Sequence, residues 1–305
     1  MLVPVLTGPT ASGKTAVALA FARLTPAEII AADSRTVYQG LDIGTAKPTR
    51  EDRAAVPHHG LDVADPTERY SAGRFARDAL AWIAGVRSRE RMPLVVGGTG
   101  FYLRALFEGL FDAPDLDEAA RDALHLALRA RSSGELLRWA RRLDPGFRGS
   151  GGRQRASRVI EVALLTGAPL SRLQATAPRP EPSVQPFYAR IALPRVLLEK
   201  RIRARVRAML ERGLVDEVRG QLERGVPRDA PGLTGVGYRE VVEMLAGHLL
   251  PGDLEEDITV STRRYAKRQE TWFRHQLREP VLVLDGTRPP EALAQDLLSG
   301  YRAAL

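Results

Sequence analysis

The sequence predicts an α/β protein, a parallel sheet with helices on both faces that is interrupted by an all-helical insertion. Three observations predict it. Short apolar runs end in turns bearing Gly or Asp and give way to helical spacing; the texture changes to amphipathic helices without strands between about Asp112 and Ala177; and the strand-and-helix alternation resumes after a Pro-rich connector.

The first run, "VPVLTG", leads straight into a Gly-rich turn, and "KTAVALAFARL" carries apolar residues at helical spacing. Pro4 has no N–H to donate and is expected at the first residue of its strand. "AEIIAADS" repeats the arrangement, with Ile29, Ile30 and Ala31 ending on Asp33, and "MPLVVGGTG" does so again with Leu94, Val95 and Val96 running into glycines. Between them, "GLDIGTAKPT" and "VPHHGLDVADPTERYSAGRF" read as long polar loops of the kind that recognise substrate. The adjacent His58 and His59 would point in different directions on regular structure, which argues against a two-His metal site.

The insertion is carried by "EAARDALHLALRAR", "GELLRWARRL" and "RASRVIEVALLTG". "APRPEPSVQP", residues 177–186, connects back to a core strand, "FYARIAL", a helix, "EKRIRARVRAMLERGL", closed by Gly213, and a last strand, "VLVLD", at 281–285. The expected division is a first core segment, 1–111, a helical insertion, 112–180, and the rest of the core with basic C-terminal helices, 181–305.

Usage of 44% hydrophobic and 27% charged residues over 305 positions is that of an ordinary globular enzyme. A formal net charge of +8, with a pI near 10.1, favours a polyanionic partner. The absence of cysteine excludes disulfides, thiol catalysis, Cys-type zinc sites and iron–sulfur clusters. No leader pattern opens the chain and no apolar run approaches ~18 residues, so a cytoplasmic protein with no membrane span is expected.

Gly8, Pro9, Thr10, Ala11, Ser12, Gly13, Lys14 and Thr15 satisfy G-x-x-x-x-G-K-[ST] between a strand and a helix, so that backbone N–H groups can surround a phosphate. Lys14 would neutralise its charge and the Thr15 hydroxyl would ligate Mg²⁺. An ATPase or GTPase of this class usually places a metal-organising Asp after a core strand, yet "PLVVGGTG" ends in glycines. The acid that does stand at a strand end is Asp33, beside the first loop, where it could abstract a proton or hold metal-bound water. Arg153, Arg155 and Arg158, the pairs Arg201 with Arg205 and Arg203 with Arg207, and the helix "STRRYAKRQETWFRHQ", with Arg263, Arg264, Lys267, Arg268 and Arg274 beside Tyr265, Trp272 and Phe273, fit a nucleic-acid backbone footprint. The motifs alone leave open a small-molecule kinase and a non-catalytic RNA-binding protein.

Together these segments resemble the tRNA dimethylallyltransferase (tRNA isopentenyltransferase) family over nearly the full length. The resemblance rests on "GPTASGKT", "DSRTVYQGLDIGTAKPT", "VPHHGLDVADPTERYSAGRF", "VVGGTGFYLRAL", "GVGYRE" and "STRRYAKRQETWFR". It implies a P-loop NTPase-like core with a helical insertion, and transfer of the dimethylallyl group from dimethylallyl diphosphate to N6 of the adenosine 3′ of the anticodon (tRNA position 37), with release of diphosphate. On that reading Gly8 to Thr15 take the diphosphate of the donor, and whether ATP also binds there stays open. Asp33 is the expected general base. Asp33 also belongs, with Ser34, Arg35, Thr36, Val37 and Tyr38, to a tRNA-contacting stretch, Thr99 and Arg121 lie near the tRNA, and Gln154, Arg155, Ala156, Ser157 and Arg158 form a second contacting segment. Lys14, Mg²⁺ on Thr15, and Arg201 or Arg205 would neutralise the leaving diphosphate. The implied partner is the anticodon stem-loop, and a monomer is expected. The chain departs from the family pattern in having "SGGRQRASR" where an Asn-Asp pair usually precedes the second segment, and Ser261 where Asn is usual. A relative acting on free adenine nucleotides is the nearest alternative; the insertion and the basic charge favour tRNA.

Overall fold

The computed structural model describes residues 1–109, 117–149, 152–176 and 183–305. The expected domain junctions near Asp112 and at 177–182, and Ser150 and Gly151 ahead of the second contacting segment, lie outside the described residues. Contacts divide the chain into two compact units, Met1–Glu108 with Pro182–Leu305, and Gly109–Glu181.

In the larger unit, strands β1 (Leu2–Thr7), β2 (Ala27–Ala31), β3 (His58–His59), β4 (Met92–Gly97), β5 (Gln185–Ala192) and β6 (Val281–Asp285) form one sheet in the order β3-β2-β4-β1-β5-β6. Every neighbouring pair is parallel. The period of two along each strand sorts the side chains between the faces. Leu6, Ile29, Leu94, Ala189, Ile191 and Leu284 pack with Val17, Ala18 and Phe21 of α1 (Lys14–Leu24) and with Leu293, Ala294 and Leu297 of α13 (Pro290–Ala303). On the other face lie α3 (Ala72–Ser88) and α4 (Gly100–Glu108), joined by stacked Phe75 and Tyr102 rings 4.3 Å apart, and Phe107 meets Tyr188 of β5 edge-on at 6.0 Å. The parallel sheet with helices on both faces is thus the architecture that the sequence predicts.

Three local expectations need correction. Pro4 is the third residue of β1, an interior strand; it is tolerated because the β1–β4 ladder begins only at Val5 opposite Val95. His58 and His59 form the short edge strand β3 against Ile29 and Ile30, not a loop. The "SAGRF" end of the second polar segment opens α3, whose N-cap Ser71 accepts the Arg74 N–H at 3.1 Å, and Phe75 is fully buried.

Among the described residues Glu28 is the one acid buried in the sheet. It accepts from Arg89 Nε at 3.0 Å and Nη2 at 2.8 Å and from His59 Nε2 at 2.7 Å. The Arg89 hydrogen bonds foremost, with His59 assisting, pull its carboxyl down from 4.5 to about 2. A depressed carboxylate contributes stability that is complete above its unfolded pKa and is lost as pH falls toward 2. Glu28→Gln should therefore cost about 2 kcal/mol at neutral pH, a value held down by the half-exposed Arg89, and should flatten the acid limb of a Tm-versus-pH curve.

The remaining helices of this unit are α2 (Arg50–Ala55), α9 (Arg195–Glu211), α10 (Leu214–Glu223), α11 (Tyr238–Leu245) and α12 (Leu254–Gln276). Among the described residues no helix is long and apolar enough to cross a membrane.

Among the described residues the smaller unit is all-helical: α5 (Glu118–Arg129), α6 (Ser133–Leu143), α7 (Gly152–Thr166) and α8 (Leu170–Thr176). A capping box between Ser132 and Glu135 starts α6, and Leu136 and Ala140, one turn apart, pack on Ala156, Val159 and Ile160 of α7.

Candidate active site

The loop after β1 turns on a glycine whose backbone L side chains rarely adopt. Gly13 has φ +96° and hands the chain to α1, whose first residue is Lys14. Lys14 Nζ donates to the carbonyls of Gly8 at 2.9 Å and Pro9 at 2.8 Å, fixing the ammonium on the loop. Thr15 is exposed in the first turn of α1. Burial lowers the Lys14 pKa to about 8, with Asp33 opposing that shift and Arg205 adding to it. Those two groups are therefore its electrostatic neighbours.

Asp33 follows β2 in a tight turn in which its Oδ1 accepts the Arg35 N–H at 2.8 Å. Thr99 Oγ1, from the loop after β4, accepts the Ser34 N–H at 3.0 Å, and Thr99 N donates to Ala32 O at 3.2 Å. Two cations reach this region from α9. Arg201 donates to Ser12 O at 3.3 Å and Gly286 O at 3.2 Å, and Arg205 donates to Thr45 O at 3.4 Å. Burial depresses the Arg205 pKa, and Asp33 partly restores it.

The segment that supplies Thr45 is rigidly held. The Glu217 carboxylate accepts the N–H groups of Asp42, Ile43 and Gly44 at 2.7, 2.8 and 3.3 Å, and the Tyr238 hydroxyl at 2.5 Å. Lys47, buried, bonds Tyr38 O, Asp42 and Asp62. "GLDIGTAKPT" is thus a packed turn as much as a polar loop.

Helix α12 covers the strand ends with one stripe of residues. Gln269 accepts the Thr10 N–H at 2.8 Å and donates to Gly98 O at 2.9 Å. The Trp272 ring lies where a Cβ on Gly100 would fall. Tyr265 bonds Thr99, and burial first, with Asp33 next, pushes its hydroxyl up to about 12. Sequence names Tyr265 only as an aromatic of the basic footprint and does not single out Gln269; the one further signal is their i, i+4 spacing within that helix.

The structure places the residues expected to contact tRNA in different settings. Thr36, Val37 and Tyr38 are 7%, 0% and 4% exposed, because the chain runs from the Asp33 turn into the bridge between Tyr38 and Ala64. In that stretch only Ser34 and Arg35 keep side chains that are not buried, and Arg35 donates to Pro231 O at 2.9 Å and Thr234 Oγ1 at 3.1 Å. In the smaller unit Ala156 is core, whereas Gln154 and Arg155 are exposed. Arg121 and Arg158 converge there on buried Glu161 at 2.8 and 2.6 Å, while Arg153 closes the C-terminus of α5 through the carbonyls of Leu128, Arg129 and Arg131. Of the basic footprint, Arg203 and Arg207 pair with Glu256 and Glu255, Arg263 pairs with Glu199, and Phe273 is core. Arg264, Lys267, Arg268 and Arg274 stay exposed on α12.

An all-parallel sheet, a Lys-bearing glycine loop after β1 and an aspartate at the end of β2 define a protein of the P-loop-like α/β class. Residues 36–276 match the family model of IPP transferase, and residues 1–57 that of isopentenyl transferase. The chain belongs to the IPP transferase family, that of the tRNA dimethylallyltransferases. It is 44% identical over 277 residues to tRNA dimethylallyltransferase 1 of Trichlorobacter lovleyi, covering 90% of this chain and 91% of that one. It is 46% identical over 293 residues to the tRNA dimethylallyltransferase of Thermus thermophilus, covering 93% of each. The crystal structure of tRNA delta(2)-isopentenylpyrophosphate transferase from Staphylococcus epidermidis superposes with a TM-score of 0.72 at 30% identity, over 100% of this chain and 99% of that one. The full-length tRNA isopentenylpyrophosphate transferase of Bacillus halodurans gives 0.70 at 30% identity, over 99% and 97%.

Proposed function

We propose that this chain transfers the dimethylallyl group of dimethylallyl diphosphate to N6 of the adenosine 3′ of the anticodon in tRNA. The observation that carries this reading is the grouping of Asp33 with Lys14 and Arg205, a base and leaving-group cations in one electrostatic constellation. An exocyclic adenine nitrogen is a poor nucleophile, since its lone pair is delocalised into the ring, so Asp33 takes its proton as attack proceeds. The new bond joins N6 to the allylic carbon, and the carbon–oxygen bond to diphosphate breaks. Lys14, Arg201, Arg205 and the loop N–H groups meet the charge that grows on the departing diphosphate. Mg²⁺ suits the site: Thr15 offers an exposed hydroxyl at the start of α1 that would hold the ion beside the diphosphate. When bound, it supplies further charge neutralisation there.

The adenine must leave its stack to reach Asp33, at a cost of a few kcal/mol that is lower in a loop than in a duplex. The exposed cations of α12, with Arg155 and Gln154 of the helical unit, supply the phosphate affinity that offsets it.

The test is incubation with unmodified tRNA, Mg²⁺ and radiolabelled dimethylallyl diphosphate, without ATP, followed by digestion and nucleoside analysis. Label in N6-isopentenyladenosine is expected. Transfer to free AMP instead, or ATP-dependent phosphorylation of a small molecule, would overturn the reading.

The Lys14 pKa gives a pH signature. The ammonium that meets the diphosphate is charged below about 8 and neutral above, so kcat/KM for the donor should fall on the alkaline side from about pH 8. Lys14→Arg, charged throughout, should move that limb to higher pH.

A further inference from the structure

Prenyl transfer on the proposed reading needs two half-sites at a fixed separation: the loop that holds the diphosphate, and the aspartate that receives the N6 proton. They lie on different strand ends, β1 and β2, with the end of β4 between them in the sheet. Backbone ladder bonds set the spacing of the strands but stop where the loops begin, so something else must fix the loops to each other.

Gln269 is placed to do this. It is 6% exposed on α12, and both ends of its amide are engaged, Oε1 with the Thr10 N–H of the β1 loop at 2.8 Å and Nε2 with Gly98 O of the β4 loop at 2.9 Å. The next residue, Thr99, is bonded to Ala32 O and to the Ser34 N–H, which flank Asp33 on both sides. A continuous path therefore runs from the diphosphate loop through one side-chain amide to the backbone that aims the base. Gly98 belongs to it, since a Cβ there would overlap the Gln269 amide. A primary amide suits the position, because it presents an acceptor and a donor side by side in one plane; Glu lacks the donor and Leu lacks both.

We infer that Gln269 is a positioning residue for the transfer reaction, fixing the distance between the diphosphate loop and Asp33. The inference rests on the functional reading above. Its contacts also engage the Thr10 N–H, leaving donor recognition to Lys14 and the later amides of the loop.

The test uses the full chain with Gln269→Leu, near in size and lacking both bonds, and Gln269→Glu, which keeps the Thr10 bond and sets an oxygen against Gly98 O. Single-turnover prenyl transfer, KM for both substrates and Tm are measured beside wild type. Gln269→Leu is expected to slow single-turnover transfer by about 100-fold, the effect of roughly 1 Å of misplacement, with both KM values within about threefold. Gln269→Glu should lose about tenfold, and it decides the matter should Gln269→Leu fail to fold. A purely structural role would reduce the fraction of active protein and leave the rate constant of that fraction unchanged. Rate constants within threefold of wild type, or a raised KM for dimethylallyl diphosphate at unchanged kcat, would overturn the inference with the functional reading intact. A folded wild type that transfers no prenyl group would overturn both.

Discussion

Asp33→Asn is expected to slow single-turnover prenyl transfer by about 10³-fold while tRNA affinity stays within about threefold. The asymmetry follows from what the carboxylate touches. Its Oδ1 accepts the Arg35 N–H and shapes the turn after β2, a contact that the Asn oxygen retains. What Asn cannot do is accept a proton from the adenine amine. Asp33→Ala should abolish turnover too, but it also releases the Arg35 N–H, and Arg35 holds Pro231 O and Thr234, so Asn isolates the chemistry from the fold. Loss of an anion cannot weaken attraction to a polyanion. Filter binding of unmodified tRNA therefore separates the two roles, and a tenfold or greater loss of affinity in Asp33→Asn would make Asp33 a recognition residue instead of a base.

The parts of the site legible in the sequence are those encoded over short spans. The loop from Gly8 to Thr15 announces itself because a phosphate cradle needs its glycines, lysine and hydroxyl at fixed offsets. Asp33 is legible as the first acid after a β-branched run. The strands β1, β2, β4, β5 and β6 are legible as apolar runs ended by turns, whereas β3, two residues long, is too short to show any period. Contiguous motifs mislead in the opposite sense. "DSRTVYQ" reads as one stretch, yet Val37 and Tyr38 point into the core while Ser34 and Arg35 do not, because the chain turns at Asp33 and only then runs back along the fold. Clustered arginines mislead similarly: Arg153 and Arg155 look alike in sequence, and only the position of the end of α5 shows that Arg153 binds its carbonyls. Gln269 and Glu217 act on backbone far away along the chain, Gln269 on a residue 259 positions earlier, and Tyr265 acts on the side chain of Thr99; no periodicity within a helix encodes such partners.

Lys14→Met is expected to lower kcat/KM for dimethylallyl diphosphate by about 10³-fold and, at pH 7, to leave Tm unchanged or higher. The two effects have opposite signs for one reason. A native-state pKa of about 8 against 10.5 in the ordinary state means that the fold disfavours the charged ammonium, so at any pH below 8 the native protein carries a penalty that the unfolded chain does not. The penalty persists because the same buried charge, beside Arg205 and facing Asp33, is what meets the diphosphate when the carbon–oxygen bond breaks. Methionine removes both the penalty and the function. Against this stand the bonds from Nζ to Gly8 O and Pro9 O, whose loss loosens the loop. A Tm several degrees below wild type would mean that Lys14 serves the loop as a clamp first. A Tm at or above wild type, with transfer lost and tRNA binding kept, would place Lys14 among the residues whose charge is held for the reaction at the expense of stability.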